Sequence, residues 1–273
     1  MNQIKRILKG ILRRGGCIIP DKLQIEAYYR LEMGKKLDLN NPRTMNEKLQ
    51  WLKLYNRKEE YKALVDKVKV KEVVANKIGK EYVVPILGVW DSFDEIDFDK
   101  LPNQFVLKTN HSGGNTGVII VPDKSKFNVS EAKEKLENSL KSDVYRNYRE
   151  WPYKGMNKKI FAEEYLGSDL VDYKFYCFDG DADCVLLCID RQIGAAKFYF
   201  FDKDWKLCRY NKRGKEAPED FTLPKPNGID QMFRLASEMS KGFPFVRMDF
   251  FDVNGKIYFG EYTFFPASGY DYN

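Results

Sequence analysis

Apolar residues recur at helical spacing through the first part of the chain, from residue 1 to about residue 60. The turn-forming run NNPRT at residues 40–44 interrupts this pattern, and Thr44 or Asn46 can cap the helix that follows it. A further helix is predicted over residues 63–78, before a glycine. The pattern therefore predicts a helical segment on the amino-terminal side of the chain.

Further along, the pattern changes to short apolar runs with the period of two that is typical of strands. Helices are predicted between these runs at residues 130–140, with Ser130 as the capping residue, and at residues 230–241. The pairs Asp-Gly at 179–180 and Asn-Gly at 254–255 lie between predicted strands, where tight hairpin turns prefer them. The predicted strands are residues 83–89, 105–109, 118–121, 161–166, 173–178, 184–189, 197–201, 246–251 and 256–262.

The composition is that of an ordinary globular protein, with 43% apolar and 32% charged residues among 273. Lys5, Arg6 and Lys9 interrupt the apolar residues near the amino terminus, so no secretory signal is expected. No later run approaches the roughly 18 apolar residues that a membrane helix requires. A cytoplasmic protein is therefore expected, and its five cysteines, which form no CxxC pair, are expected to be reduced thiols.

The formal net charge of +6 is spread along the chain among 40 acidic residues, which argues against a nucleic-acid partner. One local cluster differs, because residues 1–14 place apolar side chains at helical spacing among basic ones, with no acid before Asp21. Such a helix can rest on an anionic membrane surface at the inner face of the membrane. The alternative is a terminal helix that packs on the body of the protein.

A glycine-rich loop, HSGGNTG at residues 111–117, directly follows the predicted strand that carries Lys108. Glycines let backbone N–H groups approach phosphate oxygens, and a lysine fixed on a strand offers a charge to the same phosphates. The loop lacks the GK[ST] ending of a P-loop, and a strand follows it instead of a helix. It is interpreted as a different kind of phosphate-binding loop, with a flexible hairpin as the alternative. His111, the only histidine of the chain, flanks this loop, and its role is left open.

Two carboxylates are predicted to converge near the end of the chain. Alternation places Arg247 and Asp249 on one face of a strand, and the partner strand of the hairpin can bring Glu261 and Thr263 opposite them. Oxygen ligands of this kind suit Mg²⁺, which takes one or two carboxylates and completes its shell with phosphate and water. The alternative is a cross-strand ion pair between Arg247 and one acid.

The order of these elements resembles the ATP-grasp superfamily, in which two α+β subdomains clamp a nucleotide. The Asp66-Lys67 pair, Lys108 before Ser112-Gly113-Gly114, and the run EEYL at residues 163–166 are similar to its lysines, phosphate loop and adenine hinge. The segments 39–55, 106–113, 172–178 and 246–269 are similar to its TupA-like branch, named for teichuronopeptide biosynthesis. Two departures are Thr263, where the superfamily has asparagine, and Asn115-Thr116, which replace a lysine of the loop.

The resemblance implies an α+β protein of the ATP-grasp fold with a helical extension at residues 1–60 and subdomains at 61–164 and 165–273. It implies ATP and Mg²⁺ as cofactors. Metal ligands would be Asp249, Glu261 and Thr263, and the residues at the reacting groups would be Arg247, Lys174 and Arg191. The implied nucleotide contacts are Lys67, Lys108, Ser112, Gly113, Gly114, Glu163, Glu164, Tyr165, Leu166 and Asp172.

The implied function is an ADP-forming carboxylate–amine ligase that acts through an acyl phosphate. Its expected substrates are a uronic-acid glycan of a surface or capsule polysaccharide and an amino acid. Three alternatives stay open: a sugar kinase on the same fold, a glycosyltransferase, and a non-catalytic nucleotide-binding partner of a glycan assembly complex.

Overall fold

A computed structural model describes residues 3–14, 18–168, 170–189 and 196–271 of the chain. The mixture of helices and antiparallel sheets confirms the predicted α+β class. The helices are α1 (Gln3–Arg14), α2 (Asp21–Met33), α3 (Met45–Tyr55), α4 (Glu60–Val65), α5 (Lys69–Lys77), α6 (Val129–Lys141), α7 (Val144–Tyr148), α8 (Lys212–Glu216) and α9 (Ile229–Ser240). The strands are β1 (Ile86–Trp90), β2 (Phe105–Thr109), β3 (Val118–Val121), β4 (Ile160–Glu164), β5 (Val171–Phe178), β6 (Asp181–Ile189), β7 (Lys197–Asp202), β8 (Leu207–Cys208), β9 (Val246–Val253) and β10 (Lys256–Thr263).

Local hydrogen bonds set the helix boundaries. Thr44 begins α3 with a capping box, in which its hydroxyl accepts from the Glu47 N–H and the Glu47 carboxylate accepts from the Thr44 N–H. The single helix predicted over residues 63–78 is wrong, because Asp66 is extended and its carboxylate accepts from the N–H groups of Val68 and Lys69. This break separates α4 from α5.

The smaller sheet has the strand order β1-β4-β2-β3, and every pair in it is antiparallel. Ala132 and Leu136 of α6 pack on its central strand β2 through Phe105 and Leu107. Asn128, and not the predicted Ser130, caps α6, because its side chain accepts from the Glu131 N–H at 3.1 Å. Packing against α6 thus fixes the position of β2, the strand that carries Lys108.

The larger sheet has the order β10-β9-β5-β6-β7-β8, again antiparallel throughout. Its two predicted hairpins are confirmed, since Asp179-Gly180 and Asn254-Gly255 all have positive φ, between 50° and 85°. One face packs on α9 through side chains such as Phe175 and Met248. The helices α4 and α5 also join this core, although the predicted boundary at residue 165 places them with the smaller sheet.

On the opposite face of the larger sheet, the side chains change from charged to apolar across the strands. The register places Glu261 beside Asp249, Asp249 beside Lys174, Lys174 beside Leu186 and Leu186 beside Phe200. We call this line of five side chains the transverse row. It begins with charged groups on β10, β9 and β5 and ends with apolar groups on β6 and β7.

The helix α3 joins the amino-terminal helices to a segment 215 residues further along the chain. The ammonium group of the fully buried Lys53 donates to the carbonyl of Ser268 at 2.7 Å and to that of Tyr148 at 2.9 Å. Gln50 donates to the Gly269 carbonyl at 2.8 Å. These bonds hold a segment in which Ala267, Ser268 and Gly269 all have positive φ, which is strained for the first two.

The helix α1 contacts the rest of the protein through Lys9 and Leu12. Leu12 packs on the cluster formed by α2, and Lys9 forms an ion pair with that helix. Ile7, Leu8 and Ile11 are 55%, 41% and 58% exposed. In the described part of the chain, none of the helices combines the length and apolar character needed to cross a membrane.

Candidate active site

A cavity of about 730 Å³ lies between the two sheets, and we call it the central cavity. The smaller sheet contributes Lys108 and Glu163 to its wall, and the larger sheet contributes the charged part of the transverse row. The predicted site residues that line it are Lys67, Lys108, Gly114, Glu163, Asp172, Lys174, Arg247, Asp249 and Glu261.

The remaining predicted residues lie elsewhere. Within the glycine-rich loop, Ser112 is buried and Gly113 is exposed, and neither lines the central cavity. Thr263 lies beside Arg247 and does not line the central cavity either. Glu164 is exposed, since it alternates with Glu163 along β4. Tyr165 and Leu166 follow that strand and are likewise absent from the cavity wall. Arg191 lies outside the described residues, so its role stays a prediction.

Two lysines share the carboxylate of Glu163 in the wall of the central cavity. The Lys71 ammonium group lies 3.0 Å from one oxygen, and Lys108 donates to the other. Burial raises the pKa of Glu163, but Lys108 and Lys71 outweigh burial and hold that pKa below its ordinary value. Sequence reasoning missed Lys71, although it stands four residues after Lys67, the spacing of one turn in the helix that was predicted there.

Lys67 ties the glycine-rich loop to the larger sheet. Its ammonium group donates to the Ser112 carbonyl at 2.7 Å and lies 3.5 Å from the Glu261 carboxylate. At the end of the loop, a Cβ on Gly117 would lie 2.2 Å from the hydroxyls of Ser112 and Thr109, so only glycine fits there. The loop is thus fixed at its base, while Gly114 and Asn115 face the central cavity.

The charged part of the transverse row forms an alternating network of charges with Arg247 and Asp172. Arg247 donates twice to the Asp249 carboxylate, at 2.7 Å each, and once to Glu261 at 3.1 Å. Lys174 bridges the carboxylates of Asp249 and Asp172. Burial raises the pKa of Glu261, but Lys67, Arg247 and Lys174 together lower it to about 2. Burial and the Asp249 charge raise the pKa of Asp172.

The three residues predicted as metal ligands lie beside one another. Asp249 and Glu261 face each other in register, and Thr263 places its hydroxyl 3.1 Å from the Glu261 carboxylate. Among the residues that the structure describes, no three acidic, histidine or cysteine side chains gather as a metal cage. Two carboxylates fit Mg²⁺, which completes its shell with phosphate and water. Arg247 and Lys174 hold both oxygens of Asp249, so one of them would have to release an oxygen to the ion.

His111 is buried beside the loop and does not line the central cavity. A nitrogen of its ring lies 3.1 Å from the Ser139 carbonyl oxygen. Burial, with a smaller contribution from Lys158, lowers its pKa to about 4. The ring is therefore neutral at pH 7, and the geometry supports a structural role.

A second cavity of about 840 Å³ adjoins the central one, and Lys174 and Arg247 line both. We call it the aromatic cavity, because Tyr176, Phe198, Phe200 and Tyr210 are among its walls. Sequence reasoning missed it. The aromatic residues on both faces of β5 and β7 were the available signal, but such a run is also typical of a strand that is buried on both faces.

Known proteins are similar to this chain in sequence and in structure. A family model described as TupA-like ATPgrasp matches residues 47–273. A D-alanine–D-alanine ligase from Bacillus anthracis is similar in structure, with 16% identity, a TM-score of 0.41, and coverage of 74% of this chain and 57% of that one. The corresponding enzyme from Helicobacter pylori has 13% identity, a TM-score of 0.45 and coverage of 83% and 64%.

The ATP-grasp ligase PsnB, in complex with a minimal precursor, Mg and ADP, has 14% identity, a TM-score of 0.40 and coverage of 89% and 62%. This chain spans less than two thirds of the length of each of these three proteins. No curated protein matches it. The family model covers most of the chain, and the protein belongs to the TupA-like ATP-grasp family.

Proposed function

We propose that the protein is an ATP-dependent carboxylate–amine ligase. The observation that supports this most is the central cavity, where Lys67, Lys71 and Lys108 line the wall together with two carboxylates and Arg247 from the larger sheet. Cations on one wall suit a polyphosphate, and carboxylates on the other suit the metal ion that accompanies it. Both would be held between the two sheets.

In the proposed reaction, an oxygen of the acceptor carboxylate attacks the γ-phosphorus of ATP, and the bond to the ADP oxygen breaks. An amine then attacks the carbonyl carbon of the acyl phosphate, the C–O bond to phosphate breaks, and the departing phosphate takes the proton that the nitrogen loses, so that an amide forms. Lys67, Lys108 and Arg247 would neutralise the charge on the transferring phosphoryl group, while Mg²⁺ on Asp249 and Glu261 would supply further neutralisation.

The charge around the acceptor position favours a ligase over a kinase. A kinase that acts on an alcohol keeps a carboxylate free as a base near the acceptor, whereas a carboxylate acceptor is already an anion at pH 7. Asp172 and Asp249, which lie nearest to Lys174, are both held by that ammonium group. An anionic acceptor at Lys174 and Arg247 needs no base.

We further propose, from the family, that the carboxylate belongs to a uronic-acid glycan of a surface or capsule polysaccharide and that the amine is an amino acid. The reaction would take place in the cytoplasm. The test is to incubate the protein with Mg-ATP, a panel of uronic acids and amino acids, and hydroxylamine. ADP formation that yields an amide, or a hydroxamate with hydroxylamine, supports the ligase, whereas a stable phosphate ester would establish the kinase instead.

We also propose that α1 contacts an anionic membrane surface. Its exposed apolar side chains Ile7, Leu8 and Ile11 form one stripe, and the sequence around them is rich in lysine and arginine. Such a helix binds in the plane of the interface by burying its apolar stripe among the lipids. This contact would bring the enzyme close to lipid-linked glycans.

A further inference from the structure

Large aromatic side chains stand on the open face of the larger sheet, where the described protein does not cover them. Phe198 is 37% exposed and Tyr210 is 58% exposed. Tyr176 and Phe200 have ring centroids 5.3 Å apart, and Phe200 and Tyr210 are 5.8 Å apart, both in edge-to-face arrangements. The rings therefore support one another as a continuous wall of the aromatic cavity.

Polar groups stand on the rim of the same wall. Asp183 and Arg213 are both exposed and both line the aromatic cavity. A wall that combines ring faces with separate hydrogen-bonding groups suits a molecule with apolar C–H faces and polar edges. A sugar ring has this character, whereas a lipid chain has no polar edge to offer to Asp183 and Arg213.

Along the transverse row, the aromatic cavity has a charged end at Lys174 and an apolar end at Phe200. Lys174 on β5 and Phe200 on β7 are in register through Leu186 on β6, so two strand spacings, about 10 Å, separate them. Lys174 and Arg247 belong to both cavities, so an anion at this end also faces the phosphate site. A ligand that spans the row is thus a carboxylate with more than one sugar ring.

We propose that the aromatic cavity binds the acceptor as a saccharide, with its carboxylate at Lys174 and Arg247 and a neighbouring ring stacked on Phe200 and Tyr210. This inference rests on the proposed ligase function, and it adds where the acceptor lies and which side chains select it. Tyr210 then determines specificity for the second ring and takes no part in phosphoryl transfer.

The test compares a galacturonate trisaccharide with galacturonic acid by titration calorimetry. In Tyr210→Ala, the trisaccharide should bind about five- to tenfold more weakly, which is the range of one lost aromatic contact. Galacturonic acid should bind the variant and the native protein equally, and Tyr210→Phe should retain the trisaccharide within about twofold. Tyr55→Ala is the matched control, because Tyr55 is 54% exposed and lies outside both cavities.

Three outcomes would overturn the inference: no binding of the trisaccharide, equal effects of Tyr210→Ala and Tyr55→Ala, or tighter binding of a fatty acid or an acidic peptide. The affinity for Mg-ATP is measured on the same samples. Normal ATP binding with an unaffected trisaccharide refutes only the saccharide site. Absence of ATP binding by the native protein refutes the ligase function itself.

Discussion

Replacing Glu163 by glutamine removes the one negative charge that Lys71 and Lys108 share. The change keeps the size of the side chain and one acceptor oxygen, so it tests charge and leaves no cavity. The side chain of Glu163 is 8% exposed, and those of Lys71 and Lys108 are 14% and 23% exposed. The three groups therefore form a largely buried cluster in which a lost charge is poorly screened.

Removing one member of a buried ion pair costs about 3–5 kcal/mol. Glutamine recovers part of this, because a hydrogen bond to a charged group contributes about 1.5–3 kcal/mol. We therefore expect Glu163→Gln to lower the free energy of unfolding by about 2 kcal/mol. For a chain of this size, that corresponds to a fall in Tm of about 4–8 °C.

Mg-ATP should recover most of this loss, because its phosphates would supply the anion that the two lysines have lost. Scanning calorimetry with and without Mg-ATP measures both effects. The control is Glu164→Gln, which makes the same chemical change on the exposed side of β4. Equal losses of Tm in the two variants, or a loss that Mg-ATP leaves unchanged, would refute the assignment of these lysines to the nucleotide.

The same cluster predicts a pH dependence. Because Lys108 and Lys71 outweigh burial and hold the pKa of Glu163 below its ordinary 4.5, the carboxylate stabilises the fold above that pH. This contribution is lost as the pH falls through the folded-state pKa. The difference in unfolding free energy between native protein and Glu163→Gln should thus be constant near pH 7 and shrink below pH 4.5. A difference that persists unchanged into acid would contradict the ion pairs.

Three further predictions concern the nucleotide, the metal and the membrane. Lys108→Ala should lower kcat/KM for ATP at least about a hundredfold, or about 3 kcal/mol, and a change below about threefold would place Lys108 outside the active site. Glu261→Gln should abolish Mg²⁺-dependent ADP formation while circular dichroism stays native; normal turnover would exclude it as a metal ligand. Ile7→Ser combined with Ile11→Ser should weaken binding to anionic vesicles in a flotation assay. Leu23→Ser, at a position on α2 that is 56% exposed, is the control and should bind like the native protein. Equal binding by the double variant, the control and the native protein would leave α1 as a packing element.

The sheets were predictable because each strand carries its own signal. Short apolar runs and alternation located the strands of both sheets except the two-residue β8, and Asp-Gly and Asn-Gly fixed two hairpins. The meeting of Asp249 with Glu261 was also predicted, although the register of the Asn-Gly turn alone would place Glu261 opposite Met248. A bulge at Gly260 shifts the pairing by one residue and brings the two carboxylates together. In contrast, the break at Asp66 was not predictable, because apolar periodicity continues through it and only the carboxylate's hydrogen bonds end the helix.

The sequence also did not predict which charged side chains form ion pairs with each other. Glu163 and Glu164 are adjacent in the chain, but only the pleat of β4 decides that Glu163 meets Lys71 and Lys108. These partners come from separate elements, α5 and β2, whose relative placement depends on packing. The aromatic cavity was missed for the same reason, since nothing local distinguishes a ring that packs in a core from one that faces a cavity.

The contact between α3 and residues 268–269 also bears on how the protein is made. Lys53 and Ser268 are 215 residues apart, so at about 5–20 residues per second the ribosome needs roughly 10–40 s to deliver the partner of Lys53. During that interval Gln50 and Lys53 have no carbonyl groups from this segment to bind, and the apolar face around Leu49 lacks part of its cover. The packing of α3 is therefore completed only after residues 268–269 have been made.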